Sequence, residues 1–233
     1  MLSVRDLTVS FGGVKPLDRV SVEFGEGVCG LVGPNGAGKT TLFNVISGFA
    51  APTAGEVEVD GVSLLGLAPH KRARWGLRRT FQQEQVIHTL SARDNVRLAA
   101  DELGGNADEA DQALDFVGIA RTERRGGELS LLERRLVELA RAVIAQPRLV
   151  LLDEPGAGLV DEETERLAGL ICQIPERCGA QVILVDHDME LVSAVCPALA
   201  VLDFGRLLAV GPTSEVLADD EVKRAYLGDE VLL

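Results

Sequence analysis

The run Gly33-Pro34-Asn35-Gly36-Ala37-Gly38-Lys39-Thr40 fits the spacing G-x-x-x-x-G-K-[ST] in full. It follows a short apolar run, Cys29 to Val32, and leads into an amphipathic stretch from Thr40 to Ile46. Strand, loop and helix are predicted in that order. Glycine admits left-handed dihedrals, which turn successive backbone N–H groups toward one concave anion site. The helix that follows offers its positive end to the same anion. The pattern predicts a bound nucleoside triphosphate, with Lys39 reaching the β- and γ-phosphates and the Thr40 hydroxyl on Mg²⁺.

Working outward, the segments before the loop read as strands. Leu2 to Val9 and Val20 to Phe24 alternate loosely around a turn at Phe11-Gly12-Gly13, and Glu56 to Gly61 is an alternating strand stopped by a turn. From about Pro69 to Ala145 the pattern becomes helical, with breaks expected at Gly104-Gly105-Asn106 and Gly126-Gly127. After Pro147 strand and helix alternate: Leu149 to Leu152 and Val182 to Val185 are apolar runs, Glu162 to Ile174 and Met189 to Val195 are helical, and Ala198–Leu202 and Leu207–Val210 are strands. Continuous apolar strands separated by helices predict an α/β fold with a parallel sheet covered on both faces.

Leu149-Val150-Leu151-Leu152-Asp153-Glu154 places two acids at the exit of one such strand. Ligands of open α/β sheets gather at the carboxyl ends of the strands. Asp153 is positioned to hold the Mg²⁺ shell and Glu154 to orient and polarise an attacking water. Neighbours on a strand point to opposite faces, so the two are expected to divide these roles.

The 233 residues suffice for one large α/β domain or a main domain carrying a small subdomain. A net charge of −13 argues against a nucleic-acid surface, which a polyanion would avoid. No apolar run is long enough to span a bilayer, and the opening Met1-Leu2-Ser3-Val4-Arg5-Asp6 lacks the basic-then-apolar pattern of a secretory signal. A cytosolic protein is expected. The four cysteines are scattered and read as small buried hydrophobes.

With these motifs joined, the chain resembles the ATP-binding cassette family over essentially its whole length. The resemblance implies a cassette fold: a mainly parallel core sheet and an antiparallel β subdomain formed by 1–68 and 147–233, with a helical subdomain at about 69–146. Phe11, in Val9-Ser10-Phe11-Gly12, matches the aromatic that stacks on adenine in that family. Contact with ATP is implied for Gly33, Pro34, Asn35, Gly36, Ala37, Gly38, Lys39, Thr40 and Thr41. Gln82, in Arg79-Thr80-Phe81-Gln82, matches the glutamine that touches Mg²⁺ and the attacking water in a loop lying against the membrane partner. Gln83 and Gln85 leave its register open. His187, in Val185-Asp186-His187-Asp188-Met189, matches the histidine that contacts the γ-phosphate. His70 and His88 have no such setting.

Within the family, Thr40-Thr41-Leu42-Phe43-Asn44, the Arg-Thr-Phe-Gln run and His187-Asp188-Met189 look most like the ATPases of branched-chain amino acid importers. The ending Val222 to Gly228 is shared with that branch. It also resembles the ATPase of the lipopolysaccharide-export system, as does Glu133-Arg134-Arg135. The family implies a second cassette, permease subunits at the cytoplasmic face of the membrane and, for import, a substrate-binding protein.

Two stretches depart from the family. Its signature reads Leu-Ser-Gly-Gly-Gln, whereas here Leu129-Ser130-Leu131-Leu132-Glu133 keeps the serine and loses both glycines. Leu131 and Leu132 are expected to bring bulk, and Glu133 a like charge, to a surface that meets a triphosphate. Val160, in Gly158-Leu159-Val160-Asp161, stands where the loop crossing the dimer usually carries Asp or Asn. The expected outcome is an asymmetric pair: the site of Lys39, Asp153 and Glu154 hydrolyses when the partner supplies an intact signature, and the opposite site mostly binds. A nucleotide-gated regulatory cassette with little hydrolysis is the alternative these departures leave open.

Overall fold

A computed structural model describes residues 1–120 and 122–227 of the chain. The first sheet is built from β1 (Leu2–Phe11), β2 (Val14–Glu23), β4 (Ala54–Val59) and β5 (Val62–Ser63), antiparallel in the order β2-β1-β4-β5. The second is built from β3 (Val28–Val32), β6 (Leu77–Arg79), β7 (Leu149–Asp153), β8 (Gln181–Val185), β9 (Ala198–Asp203) and β10 (Arg206–Pro212), in the order β10-β9-β3-β8-β7-β6. Its strands pair parallel except at the β9–β10 hairpin.

Every residue of β3, β7 and β8 is buried. Alternation along a strand sends successive side chains to opposite faces, so an all-apolar strand feeds two cores. Leu149, Leu151, Ile183 and Val185 join the core beneath the antiparallel sheet, together with α1 (Lys39–Ser47). Val150, Leu152, Val182 and Leu184 join the core on the other face. That face is covered by α6 (Asp161–Cys178) and α7 (Met189–Val195).

Three further helices, α3 (Ala92–Leu103), α4 (Ala107–Val117) and α5 (Leu131–Val143), pack on one another and extend that second core. Gly104 and Gly118 end α3 and α4 in left-handed conformations, and Ser91, Asn106 and Ser130 cap the three N-termini. The break expected at Gly126-Gly127 is a 3₁₀ turn, Gly126–Glu128. A short α2 (Pro69–Trp75) precedes β6, and α8 (Thr213–Ala218) and α9 (Asp220–Leu227) follow β10. Gly228, at the end of the stretch shared with the importer branch, lies outside the described residues.

The helical reading of 69–145 needs one correction. Leu77–Arg79 is a strand of the core sheet, paired parallel with β7. Its arginines do not mark a solvated helix face, because Arg78 is buried with its guanidinium on the carbonyls of Ile144 and Ala145. The cysteines divide, with Cys29 and Cys196 buried, Cys178 intermediate and Cys172 exposed. Among the described residues no helix is long and apolar enough to cross a membrane.

Candidate active site

The glycine loop leaves β3 at Gly33 and enters α1 at Lys39. A Cβ on Gly33 would lie 2.1 Å from the Leu202 carbonyl oxygen, and one on Gly38 would lie 2.4 Å from that of Pro16. Both have positive φ (148° and 109°), so the loop is shaped by positions that side chains could not occupy. The hairpin behind it adds a strut, as Gly205 donates its N–H to the Ala37 carbonyl at 3.0 Å. Helix α1 begins without a side-chain cap. Its first amides are therefore available to an anion.

Pro16, Asn35 to Thr41, Glu154 and His187 line one cavity of about 250 Å³. The Lys39 ammonium donates to the carbonyls of Gly33 at 2.5 Å and Pro34 at 3.0 Å. Burial pulls its pKa below the ordinary lysine value, against the opposing pull of Glu154 and then Asp153. A buried cation on a glycine loop fits a polyanion, because phosphate charge would compensate its lost hydration.

Glu154 lies just beyond β7 with φ 51°, in the left-handed region, while its N–H donates to the Val185 carbonyl at 2.7 Å. The turn, and not strand alternation, therefore separates it from Asp153; this corrects the expectation drawn from pleating. A non-glycine residue held there costs of order 1–3 kcal/mol and persists where the surroundings impose it. Glu154 Oε2 accepts from Gln82 Nε2 at 2.8 Å, and Oε1 lies 2.8 Å from His187 Nε2. Of the three nearby glutamines, Gln82 is thus the one on Glu154; Gln85 turns its amide to the Gln83 carbonyl.

Asp153 is buried, and its Oδ2 accepts from Arg79 Nη2 at 2.9 Å. The same guanidinium donates to Asn44 Oδ1 and Ser47 Oγ on α1, at 2.7 and 2.8 Å. Its carbon sits 4.8 Å from the Phe81 ring centroid and 5.6 Å from that of Phe43. Arg79 was missed as a site residue. Its only sequence signal was its place in the Arg79-Thr80-Phe81-Gln82 run. Asp186, which holds the histidine turn, was missed as well.

The Thr40 hydroxyl, the Asp153 carboxylate and the Gln82 side-chain carbonyl supply hard oxygen donors, a set that suits Mg²⁺. Phe11 is 60% exposed at the end of β1, paired with Val14, and is not a core aromatic. It does not line the cavity.

Ser130 caps α5, its Oγ accepting from the Glu133 N–H at 3.2 Å while Glu133 Oε2 accepts from the Ser130 N–H at 2.7 Å. Glu133 Oε1 also accepts from Arg124 at 2.5 Å, so its charge is paired and not loose on the surface. Leu132 is buried in the second core, so only Leu131, half-buried, remains to add bulk there. Both findings correct the reading of this stretch.

A mainly parallel sheet whose central strand runs through a glycine loop into a helix, with Lys39 on the loop and acids at the end of the next strand but one, defines a P-loop nucleoside triphosphatase. Comparison narrows this. Residues 17–157 match the family model described as ABC transporter. The high-affinity branched-chain amino acid transport ATP-binding protein BraF of Pseudomonas aeruginosa is 34% identical, covering 98% of each chain. The lipopolysaccharide export system ATP-binding protein LptB of Escherichia coli is also 34% identical, over 100% of this chain and 99% of its own. Among solved structures, the ADP conformation of MJ1267, an ATP-binding cassette of an ABC transporter, superposes with a TM-score of 0.90 at 26% identity, covering 98% of this chain and 99% of that one. The chain belongs to the ABC transporter family and is an ATP-hydrolysing subunit of a transporter.

Proposed function

We propose that this subunit powers import of branched-chain or other small amino acids, or amides such as urea, in a two-cassette dimer beneath permease subunits. Residues 1–68 and 147–233 would form the nucleotide-binding core and about 69–146 the helical arm. The observation that carries the catalytic part is the Glu154 carboxylate, held between Gln82 and His187 on the wall of the Lys39 cavity. Phe11 would meet the adenine and Gly33 to Thr41 the phosphates. Thr40, Asp153 and Gln82 would hold Mg²⁺, which when bound neutralises phosphate charge. Water attacks the γ-phosphorus as Glu154 accepts its proton, and the bond to the β-bridging oxygen breaks to leave ADP and phosphate. Lys39 balances charge throughout, and His187 contacts the γ-phosphate. Positioning and charge neutralisation supply most of the acceleration in such transfers.

Leu131 and Val160 support an asymmetric pair, in which this chain's own site hydrolyses against a partner's intact signature while the Ser130 end of α5 gives the partner's nucleotide a weaker contact. The equal percentage identity to BraF and LptB, with Glu133-Arg134-Arg135, keeps lipopolysaccharide-type export as a second reading. Glu154→Gln is expected to bind Mg-ATP as the wild type does and to lose at least about 100-fold in turnover, measured with the partner cassette present. Wild-type turnover in that variant would refute the assignment of the base. Co-purification with a substrate-binding protein and permeases would distinguish import from export.

A further inference from the structure

Asp186 joins two loops of the active site through one buried carboxylate. Its Oδ1 accepts from the N–H of His187 at 2.8 Å and of Asp188 at 3.0 Å. Its Oδ2 accepts from the N–H of Gly156 at 3.0 Å, in the segment that leads from Glu154 to α6. A planar carboxylate is an acceptor at both oxygens, so it can tie donors on two sides, whereas a side-chain amide presents an oxygen on one side and an N–H donor on the other.

The contact is close as well as polar. A Cβ on Gly156 would lie 2.9 Å from Leu191 Cδ2 and 3.2 Å from Asp186 Oδ2, so this backbone is pressed onto the histidine turn. Two residues on, a Cβ on Gly158 would lie 3.1 Å from Leu131 Cδ2. The 155–160 loop therefore runs between the histidine turn on one side and the start of α5 on the other. Burial raises the Asp186 carboxyl above the ordinary aspartate value against the pull of its three amide donors.

We propose that Asp186 is a positioning residue that couples the nucleotide contact of His187 to the 155–160 loop, so that the loop responds to the γ-phosphate. This rests on the reading of His187 as the γ-phosphate contact. When His187 is drawn toward a phosphate its N–H carries Oδ1 with it, and the rigid carboxylate carries the Gly156 amide.

Hydrogen–deuterium exchange of the full chain, alone and with Mg-ATP or Mg-ADP, tests this on wild type, Asp186→Asn and Gly156→Ala. Asparagine keeps one oxygen for His187 and Asp188 but sets an N–H against that of Gly156. In Asp186→Asn without nucleotide, the Gly156 amide is expected to exchange about five-fold faster, the loss of one hydrogen bond, with 187–188 unchanged. In the wild type Mg-ATP slows exchange over 155–160 more than Mg-ADP does, and both variants lose that difference while still binding Mg-ATP. Gly156→Ala reaches the same outcome by pushing the loop off, should Asp186→Asn fold poorly. Wild-type loop responses in either folded variant would overturn the coupling. Failure of the wild type to bind Mg-ATP would overturn the functional reading instead, and the nucleotide-free Gly156 exchange would still report on the clamp.

Discussion

Arg79 shows how much of this site is set by a residue outside the lining of the Lys39 cavity. Its guanidinium pairs with Asp153, bonds Asn44 and Ser47, and lies against two phenylalanine rings. Both members of the pair are almost wholly buried, with side chains 5% and 6% exposed. Removing one partner strands a buried charge, which is far costlier than replacing the pair with apolar groups. Arg79→Met is therefore expected to lower unfolding stability in urea by about 3 kcal/mol, and adding Asp153→Asn should recover part of that loss. Strictly additive losses would contradict the pairing. Lys39 was legible in the sequence from the spacing of the glycine motif, and Glu154 and His187 because each closely follows an apolar run, where short-range pattern is informative. Arg79 and Asp186 were not, since their partners lie 74 and 30 residues away. Leu132 was misplaced although the signal existed: Leu132, Leu136, Leu139 and Val143 recur at helical spacing and form one buried stripe.

At the scale of elements, α5 grips the glutamine segment that precedes it by fifty residues or so. Arg135 donates to the Gln82 carbonyl at 3.2 Å, Glu138 accepts from the Gln85 N–H at 2.7 Å, and Arg141 donates to the Gln85 carbonyl at 2.6 Å. Movement of the helix must carry the segment with it. Burial raises the Glu138 carboxyl above the ordinary glutamate value, against the Gln85 amide and Arg135. A raised folded-state pKa means that the folded chain holds the proton longer than the unfolded one. Wild-type stability should therefore fall relative to Glu138→Gln as pH climbs from about 4 through the raised pKa, and the gap should stay constant above it. Paired urea midpoints across that range check this; a gap of opposite slope would refute it. The three-residue β6 escaped sequence reading because it is too short to show a period and carries two arginines. Its place comes from pairing with β7, a long-range fact.

For the molecule as a whole, the alternation of β3, β7 and β8 between two cores fixes where the strand ends emerge, and the site lies at those ends. The antiparallel sheet supplies the Pro16 wall and the sheet core supplies the glycine loop and acids. The three-helix arm, through α5, steadies Gln82 by its backbone. Sheet class and loop were readable from apolar runs and motif spacing, whereas the contacts that join the arm to the sheet are tertiary and left no local trace. Every role proposed for these residues depends on a phosphate-binding loop closed by Lys39. Its most direct test is calorimetric titration of Mg-ATP into the wild type and Lys39→Ala. Saturable heat in the wild type that the substitution abolishes is the predicted result; no heat in the wild type, or equal heat in both, would contradict it.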